Sequence, residues 1–133
     1  MGLLKLLLDT HCWIWLKGDS SRLSPPLRRR LVRDPARLVL SVASVMEIVI
    51  KHAAGRLRLD MGPDRLVADV MGDGVSSLGI TTEHALRLAT LPTHHRDPFD
   101  RLLIAQAQVE GFTLVSADAT VLSYDVPTID ARK

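Results

Sequence analysis

The sequence predicts an α/β protein in which a parallel sheet is covered by helices on both faces. Short apolar segments typical of strands alternate along the chain with segments that have the apolar spacing of helices. The first segment, 3–8, is leucine except for Lys5, as expected for a central strand buried on both sides. The chain has 133 residues and no internal repeat or linker, so we expect a single domain over residues 1–133.

The first half of the chain carries clear signals for the ends of its elements. Ser24 before Pro25 is typical of a helix start, and Gly55 is typical of a helix end. The strands predicted here cover residues 3–8 and 37–41, and the helices cover 11–17, 24–33, 42–54 and 64–71.

The second half of the chain contains the segment around which the prediction is organised, a helix over residues 97–110. Asp97 fits its N-cap, Pro98 fits its first position, and Gly111 fits the left-handed residue past its end. The other predicted helices cover 81–90 and 120–123, and the predicted strands cover 75–80, 112–116 and 126–129.

Composition excludes several classes of protein. The one cysteine, Cys12, excludes an internal disulfide framework and is compatible with a reducing compartment. The apolar start is too short and too soon followed by charge for a signal peptide or a membrane span. We therefore expect a cytoplasmic protein without a membrane association.

The net charge of +2 and the pI near 9.0 are only mildly basic and do not by themselves require a nucleic-acid partner. The distribution of charge is more informative, because Arg28, Arg29 and Arg30 lie together, away from the acidic residues. Such a cluster is usually an exposed helix face. The alternative is a rim that binds phosphates around an acidic centre.

Four acidic residues, Asp9, Glu47, Asp100 and Asp118, are the candidate functional residues. Asp9 and Asp118 follow predicted parallel strands, and ligands of such sheets bind outside the carboxyl ends of the strands. Each acid also has a purely structural explanation: Asp9 as a helix cap, Glu47 in a capping box with Ser44, Asp100 at the positive end of its helix and Asp118 in a turn. Together, at one sheet edge, they favour a functional site.

Clustered carboxylates repel one another unless a cation neutralises them. Oxygen ligands suit Mg²⁺ or Mn²⁺, and the His residues and the one Cys do not form a zinc pattern. A divalent ion at such a site supports phosphodiester hydrolysis. Asp97 is assigned mainly to capping and to supporting the ligands. Adjacent side chains point apart, so His94 and His95 are assigned to a structural or rim role.

Four segments together resemble the PIN-domain nucleases, and in particular the VapC-type toxins of bacterial toxin–antitoxin pairs. They are Leu8-Asp9-Thr10-His11, the segment 41–48, the segment 95–107 with its Asp-Pro-Phe-Asp-Arg-Leu-Leu-Ile-Ala-Gln-Ala string, and Val115-Ser116-Ala117-Asp118. The resemblance extends from residue 7 to about residue 124, in the family's order and spacing.

The resemblance implies a three-layer α/β/α sandwich around a central parallel sheet and a Mg²⁺- or Mn²⁺-dependent endoribonuclease. It also implies a small antitoxin that inserts a segment near the active site, and a homodimer. The family's acidic quartet falls on Asp9, Glu47, Asp100 and Asp118. Ser116 stands where many relatives carry Thr, and it retains the hydroxyl beside the ligands.

The working hypothesis assigns a role to each candidate. Asp9 and Asp100 hold the metal directly, Asp118 holds it directly or through water, and Glu47 orients or deprotonates the attacking water. Binding of RNA phosphates is assigned to a set of arginines: Arg28, Arg29, Arg30, Arg96 and Arg101.

Three alternatives remain. One is a PIN-type nuclease that processes ribosomal RNA precursors or cuts structured DNA. Another is a Mg²⁺-binding receiver domain, which is disfavoured because Thr10 follows Asp9 and no Lys occurs between Lys51 and Lys133. The third is a non-catalytic binding module with the same fold.

Overall fold

Strands and helices alternate along residues 4–133, the part of the chain that the computed structural model describes. Leu3, the start of the first predicted strand, lies outside the described residues. The strands are Leu6–Leu8 (β1), Leu38–Ser41 (β2), Ser76–Leu78 (β3), Thr113–Ser116 (β4) and Thr128–Asp130 (β5). The helices are Thr10–Lys17 (α1), Pro25–Arg33 (α2), Val42–Ala53 (α3), Pro63–Gly72 (α4), Thr82–Arg87 (α5), Pro98–Glu110 (α6) and Ala119–Leu122 (α7).

The strands form one sheet in the order β3-β2-β1-β4-β5, and every pair is parallel. The central strand β1 aligns Leu7 with Val39 of β2 and with Leu114 of β4. The chain builds outward from β1 to β2 and β3 on one side and to β4 and β5 on the other. The carboxyl end of β1 is therefore a topological switch point, the place where ligands of such sheets bind.

Successive leucines of β1 face opposite sides of the sheet, because side chains alternate along a strand. Leu6 and Leu8 pack with buried residues of α1, α2 and α4 on one face. Leu7 packs with buried residues of α3, α6 and α7 on the other face. The protein is thus a three-layer α/β/α sandwich with a central parallel sheet, which confirms the fold class predicted from the sequence.

Several predicted boundaries differ from the observed ones at the edges of elements. β1 begins only at Leu6, and Leu4 is exposed. β3 is restricted to Ser76–Leu78, and the helix predicted to reach residue 90 ends at Arg87 and continues as a 3₁₀ turn. By contrast, α6 has the predicted start at Pro98 and the predicted left-handed Gly111, with φ of 73°.

Among residues 4–133, every helix is too short or too polar to cross a lipid bilayer.

Candidate active site

Asp9 lies at the carboxyl end of β1, where it is the N-cap of α1. Its Oδ1 accepts a hydrogen bond from the Cys12 N–H at 2.9 Å. Its Oδ2 accepts one from the Ser116 hydroxyl, at the end of β4, at 2.5 Å. The Asp9 N–H is bonded to the Val115 carbonyl at 3.0 Å, so adjacent strands hold these two side chains at the same level. The Ser116 hydroxyl thus fixes the orientation of the Asp9 carboxylate.

Glu47 lies in the second turn of α3 and is only 2% exposed. Its Oε1 accepts from the Thr10 hydroxyl at 2.5 Å, and its Oε2 accepts from Lys51 Nζ at 2.5 Å. The capping-box explanation with Ser44 is wrong, because Ser41 is the N-cap of α3 and its hydroxyl accepts from the Ala43 N–H at 3.0 Å. Glu47 is therefore a buried, ion-paired carboxylate aimed at the start of α1.

Asp97 caps α6, as predicted, through bonds from the N–H groups of Phe99 at 2.8 Å and Asp100 at 3.3 Å. Lys51 Nζ also donates to Asp97 Oδ2 at 2.9 Å, so one ammonium group joins α3 to the start of α6. Burial acts to raise the pKa of Asp97, but the bonds from Lys51 and from the Phe99 N–H outweigh it and lower the pKa. Asp97 consequently stays ionised, and both of its carboxylate oxygens accept hydrogen bonds from within the protein.

Asp100 is a partly buried carboxyl whose pKa is raised by other carboxylates nearby. Its side chain is 17% exposed and lies in the first turn of α6. Burial raises its pKa to about 7, together with the nearby charges of Asp97, Glu47 and Asp9. The acids whose charges act on Asp100 include Asp9 and Glu47, which are distant from it in sequence.

Asp118 lies two residues beyond β4 and caps α7 by accepting from the Thr120 N–H at 2.8 Å. His95 Nε2 lies 2.9 Å from Asp118 Oδ2 and 3.1 Å from Asp100 Oδ2. Burial acts to raise the pKa of Asp118, but the bonds from His95 and Thr120 outweigh it, and the pKa is lowered. His95 thus bridges two of the predicted acids, a place that the sequence analysis did not assign to it.

Ligand atoms of His95, Asp100 and Asp118 lie within 4.8 Å of one another, the only such group of three or more within residues 4–133. Asp9, the third metal ligand predicted from the sequence, is not a member of this group. The structure brings Asp100 and Asp118 together directly. It places Asp9 and Glu47 close enough to raise the pKa of Asp100.

The arginines predicted to bind RNA are not all at this edge of the sheet. Arg30 lines a small cavity with Leu6 and Leu38, which begin β1 and β2, so it lies at the opposite edge from the acids. Arg101 donates to the Leu88 carbonyl at 3.2 Å. Arg96 is exposed and lies between His95 and Asp97 in the chain.

Arg29 is exposed on α2, and the neighbouring Arg28 is bonded to the Ser20 hydroxyl at 3.3 Å. The position of Arg30 does not support contact with the acidic site, and the bond of Arg101 to backbone favours a structural role. Arg96 is exposed and adjoins His95 in the chain, so it remains a candidate for binding a phosphate near the acids.

Sequence reasoning missed three polar partners of the acids: Thr10, Lys51 and His95. Lys51 follows Glu47 by four residues, a helical ion-pair spacing that the sequence displays. Thr10 is adjacent to Asp9, but it bonds to Glu47, which is 37 positions away in the chain. No sequence pattern near Thr10 indicates this contact.

The donor set of the site is suited to a hard divalent cation. Carboxylate oxygens from Asp100 and Asp118 converge, and the raised pKa of Asp100 marks an excess of negative charge that a cation would offset. Oxygen-rich sites of this kind prefer Mg²⁺ or Mn²⁺.

Comparison with known proteins agrees with this architecture. The chain is 28% identical over 123 residues to Ribonuclease VapC22 of Mycobacterium tuberculosis, covering 92% of this chain and 93% of the relative. Its fold is similar to that of DNA-bound VapBC from Salmonella typhimurium, with a TM-score of 0.67, 20% identity, and 96% and 98% coverage of the two chains. VapBC2 from Rickettsia felis, bound to a promoter DNA fragment, gives a TM-score of 0.71 at 12% identity, with the same coverage.

The family comparison covers the first four strands of the sheet and every acid described above. The model of the PIN domain matches residues 6–126, from the first residue of β1 to beyond α7. This match includes the motif residues on which the resemblance was based, and the chain therefore belongs to the PIN domain family.

Proposed function

We propose that residues 1–133 form a single PIN-like nuclease domain, a metal-dependent endoribonuclease that hydrolyses RNA phosphodiester bonds. The observation that carries the proposal is Asp100, a buried carboxyl whose pKa is raised to about 7 by burial and by three neighbouring carboxylates. It lies at the switch point of a parallel sheet, beside Asp118. The M. tuberculosis relative named a ribonuclease supports RNA as the substrate class.

The proposed cofactor is Mg²⁺ or Mn²⁺, held by Asp100, Asp118 and Asp9. When bound, such an ion activates a water molecule and offsets the charge that develops on the phosphoryl group. Ser116 and the Cys12 N–H orient Asp9.

Glu47 is held by Thr10 and Lys51, and its remaining lone pairs can accept from the attacking water and orient it. Asp97 caps the start of α6, and in this way it fixes the backbone from which the Asp100 side chain projects. Arg96 is proposed to bind a phosphate of the RNA, together with Arg28 and Arg29.

The proposed biological role is that of the toxin in a toxin–antitoxin pair, acting in the cytoplasm as a homodimer with a cognate antitoxin protein. The similarity of the fold to VapBC complexes, over 96% of this chain, supports this role. The relative VapC22 supports it at the level of sequence.

The direct test is cleavage of labelled RNA and DNA side by side, with Mg²⁺, with Mn²⁺ and with EDTA. We expect ion-dependent cleavage of RNA that is reduced to background by Asp100→Asn. Asp125→Asn is the matched control, because Asp125 is exposed and lies outside the acidic group. Preferential cleavage of DNA would favour the alternative PIN-type nuclease, and cleavage of neither would favour a binding module.

Expression in a bacterial host tests the biological role. We expect growth arrest with the wild-type chain and normal growth with Asp9→Asn, since Asn retains the N-cap and removes a charge from the site. A short neighbouring reading frame whose product restores growth would identify the antitoxin. Growth arrest that persists with Asp9→Asn would contradict the assignment of toxicity to this site.

A further inference from the structure

Within residues 4–133, His95 is the one residue whose side chain contacts two of the proposed metal ligands without a role in the proposed function. Its ring is 16% exposed, and Nε2 lies 2.9 Å from Asp118 Oδ2 and 3.1 Å from Asp100 Oδ2. It belongs to the loop between the 3₁₀ turn at Leu88–Thr90 and α6. Its Nε2 thus lies between the two carboxylates, a position compatible with a structural role, one of the two roles expected from the sequence.

The hydroxyl of Tyr124 makes two hydrogen bonds to the backbone of the loop that carries His95. The His95 N–H donates to the Tyr124 hydroxyl at 2.8 Å, and this hydroxyl donates to the Pro92 carbonyl at 2.9 Å. Tyr124 is 5% exposed and belongs to the core on the α6 face of the sheet. The backbone of His95 is thus anchored to the protein interior.

The orientation of the imidazole ring also determines which nitrogen carries hydrogen. The Asp97 N–H donates to His95 Nδ1 at 3.0 Å, so Nδ1 presents a lone pair. A neutral imidazole with an accepting Nδ1 carries its hydrogen on Nε2. The two carboxylates that Nε2 faces are acceptors, which is consistent with an Nε2–H donor between them.

We propose that His95 is a positioning residue whose Nε2–H bridges Asp100 and Asp118 and holds both carboxylates at ion-binding distance, without itself ligating the ion. Two adjacent carboxylates repel, and a shared donor offsets part of that repulsion. Partners of this kind orient metal ligands in many proteins. The inference deepens the proposed function and depends on it for the identity of the two ligands.

The competing possibility is that His95 is a ligand, because its Nε2 is one of the three grouped atoms. Ligation through Nε2 requires a lone pair there and therefore a hydrogen on Nδ1. That hydrogen would face the Asp97 N–H, placing two donors against each other and removing the bond at 3.0 Å. The arrangement of the loop thus disfavours ligation by His95.

The first experiment measures the ring directly. Nitrogen-15 NMR of labelled histidine distinguishes Nε2–H from Nδ1–H, and the signals of His95 are assigned by their loss in His95→Gln. We expect the Nε2–H form in the metal-free protein and the same form after saturation with Mg²⁺, which is diamagnetic. A change to the Nδ1–H form on addition of Mg²⁺ would show a metal ligand and would overturn the inference.

The second experiment measures Mg²⁺ affinity by calorimetry without RNA. We expect His95→Ala to bind Mg²⁺ about ten- to a hundredfold more weakly, the usual effect of removing a residue that orients metal ligands. His95→Gln should recover part of this loss, because its amide N–H can occupy the place of Nε2–H. An unchanged affinity in His95→Ala would overturn the inference.

Two further variants separate this effect from general loosening of the fold. Tyr124→Phe removes the hydroxyl that anchors the His95 backbone but leaves the imidazole of His95 intact. We therefore expect a smaller loss of Mg²⁺ affinity than in His95→Ala. His52→Gln is the matched control, since His52 is exposed in the last turn of α3, and it should bind Mg²⁺ as the wild type does. Equal losses in His52→Gln and His95→Ala would contradict a specific role for His95.

The outcomes separate this inference from the proposed function. If the wild-type protein cuts RNA but its His95 ring changes to the Nδ1–H form when Mg²⁺ is added, the inference is overturned and the proposed function is not. A protein with His95-dependent Mg²⁺ affinity that cuts no RNA overturns the proposed function alone. A wild-type protein that binds no Mg²⁺ overturns both.

Discussion

Replacing Asp100 by Asn should stabilise the metal-free protein while abolishing cleavage. The pKa of Asp100 is raised from an ordinary value of 3.8 to about 7, first by burial and then by the charges of Asp97, Glu47 and Asp9. At about 1.36 kcal/mol per pKa unit, this difference corresponds to at most about 4 kcal/mol. Because the side chain is 17% exposed and the carboxylates can move apart, we expect a smaller gain. Roughly 2 kcal/mol at neutral to alkaline pH is a reasonable expectation, or a rise in Tm of roughly 5–10 °C.

The effect has a definite sign with pH. Between 3.8 and about 7, folded Asp100 keeps a proton that the unfolded chain has released. The contribution of Asp100 to the free energy of unfolding therefore falls as pH rises through this interval. Below this pH interval, Asp100 is protonated in both the folded and the unfolded protein, and a protonated carboxyl is neutral like the side chain of Asn. The advantage of Asp100→Asn should consequently be small near about pH 4.5 and largest near about pH 8.

Urea unfolding of both proteins in EDTA, across this pH range, measures the difference. Asp118→Asn is the control, because the pKa of Asp118 is lowered, not raised, by its contacts with His95 and Thr120. That variant should also stop cleavage, but it should not stabilise the protein. If Asp100→Asn were less stable than the wild type at alkaline pH, or its advantage did not grow with pH, the argument from crowded charge would be refuted.

Three further changes test the structure. Lys51→Met should reduce the free energy of unfolding by about 3–5 kcal/mol in urea, because it leaves the buried charge of Glu47 unpaired. Leu103→Ala should cost about 2–5 kcal/mol in thermal unfolding, whereas Leu86→Ala, on a side chain 69% exposed, should change stability by less than about 0.5 kcal/mol. Gly111→Ala should cost about 1–2 kcal/mol, since its φ of 73° is left-handed, and an unchanged Tm would contradict this.

The fold could be predicted because its signals are local. Asp97, Pro98 and Gly111 define both ends of α6, and the run of leucines identifies the central strand. The edge strand β3 was less well defined, because its serines are exposed and carry little apolar pattern. The predicted layers therefore agree with the structure more closely than the predicted ends of the outer elements do.

The site was predictable only in part, because its contacts are long-range. Asp9 and Asp118 were proposed from their positions after strands, Asp100 from the start of α6, and the full quartet with Glu47 from the family resemblance. The bridging position of His95 depends on Tyr124, which is 29 residues away, and no pattern near His95 indicates it. Arg30 was grouped with Arg28 by proximity in sequence, although residues two positions apart on a helix face different directions and Arg30 lines a cavity with the residues that begin β1 and β2.

Asp9 and Asp118 each serve as the N-cap of a helix as well as a proposed ligand. Asn is about as good a helix cap as Asp, and a single-base change converts an Asp codon into an Asn codon. Activity can therefore be lost in one mutational step while the scaffold and its binding surfaces persist. Inactive descendants that still sequester a partner protein are an evolutionary outcome that this architecture makes readily accessible.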